Sequence, residues 1–247
     1  MIAEKKWYVT YKKNPQAILR IFCFPYSGGG ASTYFPWVDK LSSSLELVSI
    51  QLPGRENRFY DTLVNDLGIM IPDLCKEFQQ YKDKPFIVFG HSLGALLCYE
   101  FVKSIHKFYN ILPKHMFVSA AKAPHLPFRM KKLSHLSDNE LIKELSIYGE
   151  IDQNLKENTQ ILNMFLPIFR SDFSIGENYF YEKTPPHSFD ITAFYGKNDS
   201  TVKEEEINAW QKHTTGHFRG ISFEGGHFFI KDKQAEILKE IENTPFF

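Results

Sequence analysis

A chain of 247 residues carrying 29 Lys and Arg against 29 Asp and Glu has no net charge. That balance disfavours a nucleic-acid binder working by phosphate neutralisation, and 43% hydrophobic with 23% charged residues excludes wholesale disorder. Three scattered cysteines, Cys23, Cys75 and Cys98, form no Cys-x-x-Cys pair, which argues against a disulfide framework and against a cysteine-rich zinc site.

The first thirteen residues mix charge with Trp7 and Tyr8 and lack the apolar run of a signal peptide. No stretch approaches 18 consecutive apolar residues. The expectation is a soluble protein of the cytoplasm that neither enters membranes nor binds nucleic acid; modest size and zero charge point to a monomer. Short apolar runs predict strands over 18–24, 46–52, 85–89, 115–120, 190–195 and 220–223. Most are continuous rather than alternating, as strands buried on both faces require. Helical spacing fills 31–44, 64–81, 93–108, 202–213 and 232–241. Strands alternating with helices predict a single α/β domain, with a mostly parallel central sheet flanked by helices. Residues 123–184 break the alternation, with helical patterns over 137–148 and 160–169 and no strand. Ser137 followed by Glu140 opens the first of these as a capping box. The stretch reads as a helical lid insertion, at about 125–184, over the C-terminal edge of the sheet.

Gly90-His91-Ser92-Leu93-Gly94 matches G-x-S-x-G between a predicted strand and a predicted helix. In such a turn the serine is held in a strained conformation with its hydroxyl above the sheet edge. A serine hydroxyl is a weak nucleophile at neutral pH, so a base and an orienting acid are needed. Asp199 follows the fifth predicted strand and His227 the sixth, giving the order Ser, Asp, His at one edge of the sheet. Acyl transfer also needs two N–H donors for the oxyanion. The backbone of Leu93 is one candidate; the loop Tyr26-Ser27-Gly28-Gly29-Gly30 offers the other, Ser27 before Tyr26. A phosphate cradle is the rival reading of that loop, but neither G-x-G-x-x-G nor a Walker sequence is present.

Other features carry less. His213 and His217 are four apart, but Gly216 interrupts any helix joining them, and no metal is expected. Glu204-Glu205-Glu206 complements a helix dipole. Arg129, Lys131 and Lys132 form either a solvated face or a dock for an acidic partner. Phe165, Phe169, Phe173, Phe180, Phe228 and Phe229 fall in or near the expected pocket, some as core and some as acyl-chain lining.

Together FPYSGGGAS (Phe24 to Ser32), LPGRENR (Leu52 to Arg58), GHSLGA (Gly90 to Ala95), SAAKAP (Ser119 to Pro124), FRSDF (Phe169 to Phe173), AWQKHT (Ala209 to Thr214) and GGHFF (Gly225 to Phe229) give the chain a family likeness. It resembles the stand-alone type II thioesterases of nonribosomal peptide and polyketide assembly lines. Tyr26 and Ser27 depart from that pattern, where relatives often carry histidine and alanine. The resemblance implies an α/β-hydrolase fold and hydrolysis of thioesters on the phosphopantetheine arm of acyl or peptidyl carrier proteins. It implies no cofactor. A carboxylesterase or lipase, a non-catalytic binding module, and acyl transfer to an acceptor other than water are the alternative readings.

Overall fold

The computed structural model describes residues 7–147 and 158–245. Seven strands form one sheet in the order β1-β3-β2-β4-β5-β6-β7. They are β1 (Tyr8–Val9), β2 (Leu19–Phe24), β3 (Leu45–Ile50), β4 (Phe86–His91), β5 (His115–Ser119), β6 (Asp190–Gly196) and β7 (Phe218–Phe223). β1 runs antiparallel to β3; every other pairing is parallel. All six predicted strands form. The two-residue β1 is too short to leave a periodic signal.

Every residue of β2, β3, β4 and β5 is buried, because helices cover both faces. Side chains alternate across the sheet, so Phe22, Phe24, Val88 and Val118 enter one apolar cluster while Ile21, Cys23, Phe89 and Phe117 enter the other. Helix α1 (Leu67–Phe78) and helix α2 (Leu93–Tyr109) pack in the first cluster, whereas the C-terminal helix Gln234–Glu242 packs in the second through Ile237, Leu238 and Ile241. The Asp66 carboxylate caps α1 by accepting the Gly68 N–H at 2.7 Å.

Two predicted helices differ in kind. Residues 31–37 form a 3-10 segment carrying Pro36, which supplies no backbone N–H. The 202–213 prediction resolves into a short α-helix, Glu204–Asn208, followed by a 3-10 turn, Ala209–His213.

Between β5 and β6, the described residues contain the helices Asp138–Ile147 and Thr159–Glu177. The first prediction extended to Tyr148, which lies outside the described residues. The capping box forms: the Ser137 N–H donates to Glu140 at 3.0 Å and the Glu140 N–H to Ser137 Oγ at 3.4 Å. These helices have their own apolar cluster, Leu133, Leu141, Leu145, Leu162, Leu166 and Phe169, separate from the two clusters on the sheet. Among the described residues no helix is long and apolar enough to cross a membrane.

Candidate active site

Ser92 stands between the end of β4 and the start of α2 with φ 53° and ψ −119°. A non-glycine residue in this region costs about 1–3 kcal/mol and persists only where its surroundings fix it. Here the Ser92 N–H donates to the Ser119 carbonyl of β5 at 2.8 Å. The flanking glycines are required by close approach. A Cβ at Gly90 would collide with the Gly94 carbonyl, and one at Gly94 with the Phe24 carbonyl. Strand, turn and helix therefore close tightly, with the Ser92 hydroxyl left in a cavity lined by Ser27, Leu93 and His227.

The three distant residues converge. Ser92 Oγ lies 3.0 Å from His227 Nε2, and His227 Nδ1 lies 2.8 Å from Asp199 Oδ2. The Asp199 side chain is shut off from solvent. Burial alone would raise its pKa, but the hydrogen bond and charge of His227, with two donors from Thr201, outweigh burial and hold it below the ordinary carboxylate value. The Thr201 N–H and Oγ1–H donate to Asp199 Oδ1 at 2.8 and 2.7 Å. An ionised Asp199 fixes the tautomer: Nδ1 carries the proton, leaving Nε2 free to accept from Ser92. Thr201 Oγ1 also stands 2.9 Å from His227 Nδ1, so it braces both groups.

His91, the variable residue before the serine, is a second imidazole beside the first, with ring centroids 5.3 Å apart. Complete burial, and after it the charge of His227, push its pKa well below the ordinary histidine value. It is held by Ser119 Oγ at 2.9 Å from Nδ1 and is packed against Tyr26, Phe228 and Phe229. A neutral ring there adds no positive charge next to His227.

The loop of Tyr26 to Gly29 is a β-turn: the Gly29 N–H donates to the Tyr26 carbonyl at 2.9 Å, and Gly28 has φ +76°. Type II turns place a positive-φ residue at this third position, hence glycine. The Gly28 N–H is taken by Asp172 Oδ2 at 2.8 Å, so two of the loop's N–H groups have protein partners. Trans peptide geometry sets the Ser27 N–H opposite to the Tyr26 carbonyl. Because that carbonyl points into the turn, the Ser27 N–H points out of it.

The expected pocket phenylalanines largely do other work. Only Phe173 of the six lines the cavity, joined by Phe128, which the sequence reading passed over. Phe229 is core, Phe165 and Phe169 belong to the apolar cluster of the insertion, Phe228 packs on His91 and Tyr26, and Phe180 is 86% exposed. The remaining apolar wall includes Leu96, Pro124, Met130 and Leu133. Arg129 and Lys131 stand at the cavity with exposed side chains; Lys132 is exposed beside them. His213 is buried, bonded to His125 at 2.8 Å and to Tyr99 at 3.0 Å, whereas His217 is exposed. The two serve different surroundings and do not form a site together.

A sequence model of the thioesterase domain matches residues 19–244. The chain belongs to the thioesterase family. The linear gramicidin dehydrogenase LgrE of Brevibacillus parabrevis is 36% identical, the match covering 98% of this chain and 94% of that protein. The gramicidin S biosynthesis protein GrsT of Aneurinibacillus migulanus is 35% identical, over 95% of this chain and 91% of its own. Among solved structures, the type II thioesterase BorB from the borrelidin biosynthetic cluster superposes with a TM-score of 0.88 at 30% identity, covering 96% of each chain. The thioesterase thus has the α/β-hydrolase fold expected of its strand order and serine turn.

Proposed function

We propose that this thioesterase hydrolyses acyl groups from the phosphopantetheine arm of acyl or peptidyl carrier proteins of a nonribosomal peptide or polyketide synthase, with Ser92 as nucleophile, His227 as base and Asp199 as orienting acid. The observation that carries it is the unbroken chain Ser92–His227–Asp199 at 3.0 and 2.8 Å inside a mostly apolar cavity. His227 Nε2 takes the Ser92 proton as Oγ attacks the thioester carbonyl. The developing oxyanion is held by the N–H groups of Leu93 and Ser27. The carbon–sulfur bond breaks, the pantetheine thiolate takes the proton from His227, and an acyl-serine ester remains. Water, deprotonated by the same imidazole, then attacks the ester and releases the acid and the free hydroxyl. A thiolate leaves more readily than an alkoxide, which favours thioesters over oxygen esters. A carboxylesterase would show no preference for the thioester beyond that leaving-group difference, with matched acyl-pantetheine thioester and oxygen-ester substrates.

The apolar wall sets what acyl group fits. Gly176, near the end of the helix Thr159–Glu177, lines the cavity, and a Cβ added to it would meet nothing within 4 Å. A side chain there would start into open space and extend along the acyl cavity. Gly176→Leu is expected to lower kcat/KM for octanoyl-pantetheine by about 10-fold or more relative to acetyl-pantetheine. Equal effects on both chain lengths would remove Gly176 from the acyl path.

Carrier-protein recognition is supported by the exposed cations of Arg129 and Lys131 at the cavity and of Lys132 beside them; Lys131 also meets Glu144 at 2.7 Å. Reversing all three to Glu is expected to raise KM for an acylated acidic carrier protein by about 10-fold at low salt, and much less for free acyl-pantetheine. Equal changes for both substrates would make these residues a solvated face. The reading takes the enzyme as a cytoplasmic monomer whose insertion between β5 and β6 acts as a lid; its three cysteines are buried and free, in keeping with a reducing compartment.

A further inference from the structure

Arg55 and Asp172 are 117 positions apart, and neither belongs to the Ser92–His227–Asp199 chain. Their side chains are 4% and 1% exposed. Arg55 Nη1 and Nη2 donate to Asp172 Oδ2 and Oδ1 at 2.6 and 2.7 Å, a two-pronged ion pair. Burying such a pair contributes little net stability, since apolar residues of similar volume serve as well. What this pair does beyond pairing is grip one turn. Asp172 Oδ2 also accepts the Gly28 N–H at 2.8 Å, and Arg55 Nη1 also donates to the Gly29 carbonyl at 3.1 Å. Phe169, one helical turn before Asp172, lies so close to Gly28 that a Cβ there would collide with its ring. The Tyr26 to Gly29 turn is therefore clamped to the helix Thr159–Glu177 through its backbone.

We propose that Arg55 and Asp172 are positioning residues for oxyanion stabilisation: the pair fixes the Gly28 and Gly29 backbone and thereby aims the neighbouring Ser27 N–H. This rests on the reading of Ser27 as a donor. The physical stake is geometric. An oxyanion donor works at 2.7–3.1 Å, and a displacement of about 1 Å at a reacting centre costs on the order of 10²-fold in rate. The clamp also makes the donor's position depend on the seating of a helix that lines the acyl cavity, through Asp172 itself and Phe173.

The decisive variant removes both charges together, Arg55→Met with Asp172→Leu, so that neither is left buried alone. Circular dichroism and thermal melting establish that it folds. The expected result is a fall in kcat for acyl-pantetheine of about 10²-fold with KM nearly constant. Affinity for an alkyl trifluoromethyl ketone, which forms a tetrahedral adduct with the nucleophile, is expected to fall by the same factor, with affinity for the carboxylic acid product retained. A purely structural pair would not separate these readouts. A folded double variant with wild-type kcat, or one changed in KM alone, would overturn the proposal. Should the double variant not fold, the wild-type protein labelled with 15N at serine and glycine decides. Ketone binding should shift the Ser27 amide strongly while the Gly28 amide, held by Asp172, moves little; no response at Ser27 overturns the proposal. Failure of the Ser27 reading is distinguishable: the Ser27 amide of the wild-type protein would then not respond to the ketone, whereas failure of the positioning role alone leaves that response intact and the folded double variant at wild-type kcat.

Discussion

Ser92→Ala is expected to cut turnover of acyl-carrier-protein thioesters by on the order of 10⁴-fold or more while the fold is kept. The argument is direct. The hydroxyl lies 3.0 Å from His227 Nε2, so its loss removes the only group in that chain able to form the acyl ester. Alanine also lacks any atom that could clash in the turn, and the Ser92 N–H bond to Ser119 uses backbone alone. Melting temperature should therefore change by only a few degrees, because the backbone strain at this position is the same for alanine. The measurement is a progress curve on acylated carrier protein followed by intact mass. Residual activity within 10-fold of wild type would place the nucleophile elsewhere.

Asp199→Asn is expected to be nearly as damaging, with kcat lowered by about 10³–10⁴-fold and KM little changed. The substituted amide retains the size of the carboxylate but can present an N–H to His227 Nδ1. The imidazole would then carry its proton on Nε2, facing Ser92, where it cannot accept the hydroxyl proton. Thr201, which donates twice to Asp199 Oδ1, favours keeping the remaining amide oxygen on its own side, which turns the NH₂ toward His227. Steady-state kinetics on acyl-pantetheine would test this. A kcat close to wild type would mean that another group orients the imidazole.

How much of this could be read in the sequence follows from what kind of signal each feature leaves. Ser92 was legible because strand, turn and helix are contiguous; the glycine at 90 is forced by the backbone of Gly94, four residues on, whereas the glycine at 94 is forced by the distant Phe24 carbonyl at the end of β2. Asp199 and His227 were legible because parallel topology sends the ends of β6 and β7 to the edge where β4 ends. Thr201 leaves a local trace, since a hydroxyl two residues after an aspartate is suited to a side-chain turn. Arg55 and Asp172 each lie in a motif of the family likeness, LPGRENR and FRSDF, but nothing local says that the two charges meet: they become partners through the packing of the helix Thr159–Glu177, a non-local event. Of the six phenylalanines expected at the pocket only Phe173 lines it, because aromatic content does not say which face a ring takes. Phe229, adjacent to Phe228 and two residues from His227, points into the core instead. Residues 31–44 give a 3-10 segment over 31–37 and no α-helix, a difference in hydrogen-bond step that apolar spacing does not resolve.

The most direct test of the central claim is to trap the acylated enzyme. Wild-type protein mixed with acyl-pantetheine, quenched in acid within the first turnover and digested, should yield the peptide spanning Ser92 heavier by one acyl group, with the mass addition on that serine and absent from Ser92→Ala. Acyl mass on a cysteine peptide, or none on the Ser92 peptide of enzyme that is turning over under conditions where the ester would survive, would contradict the account.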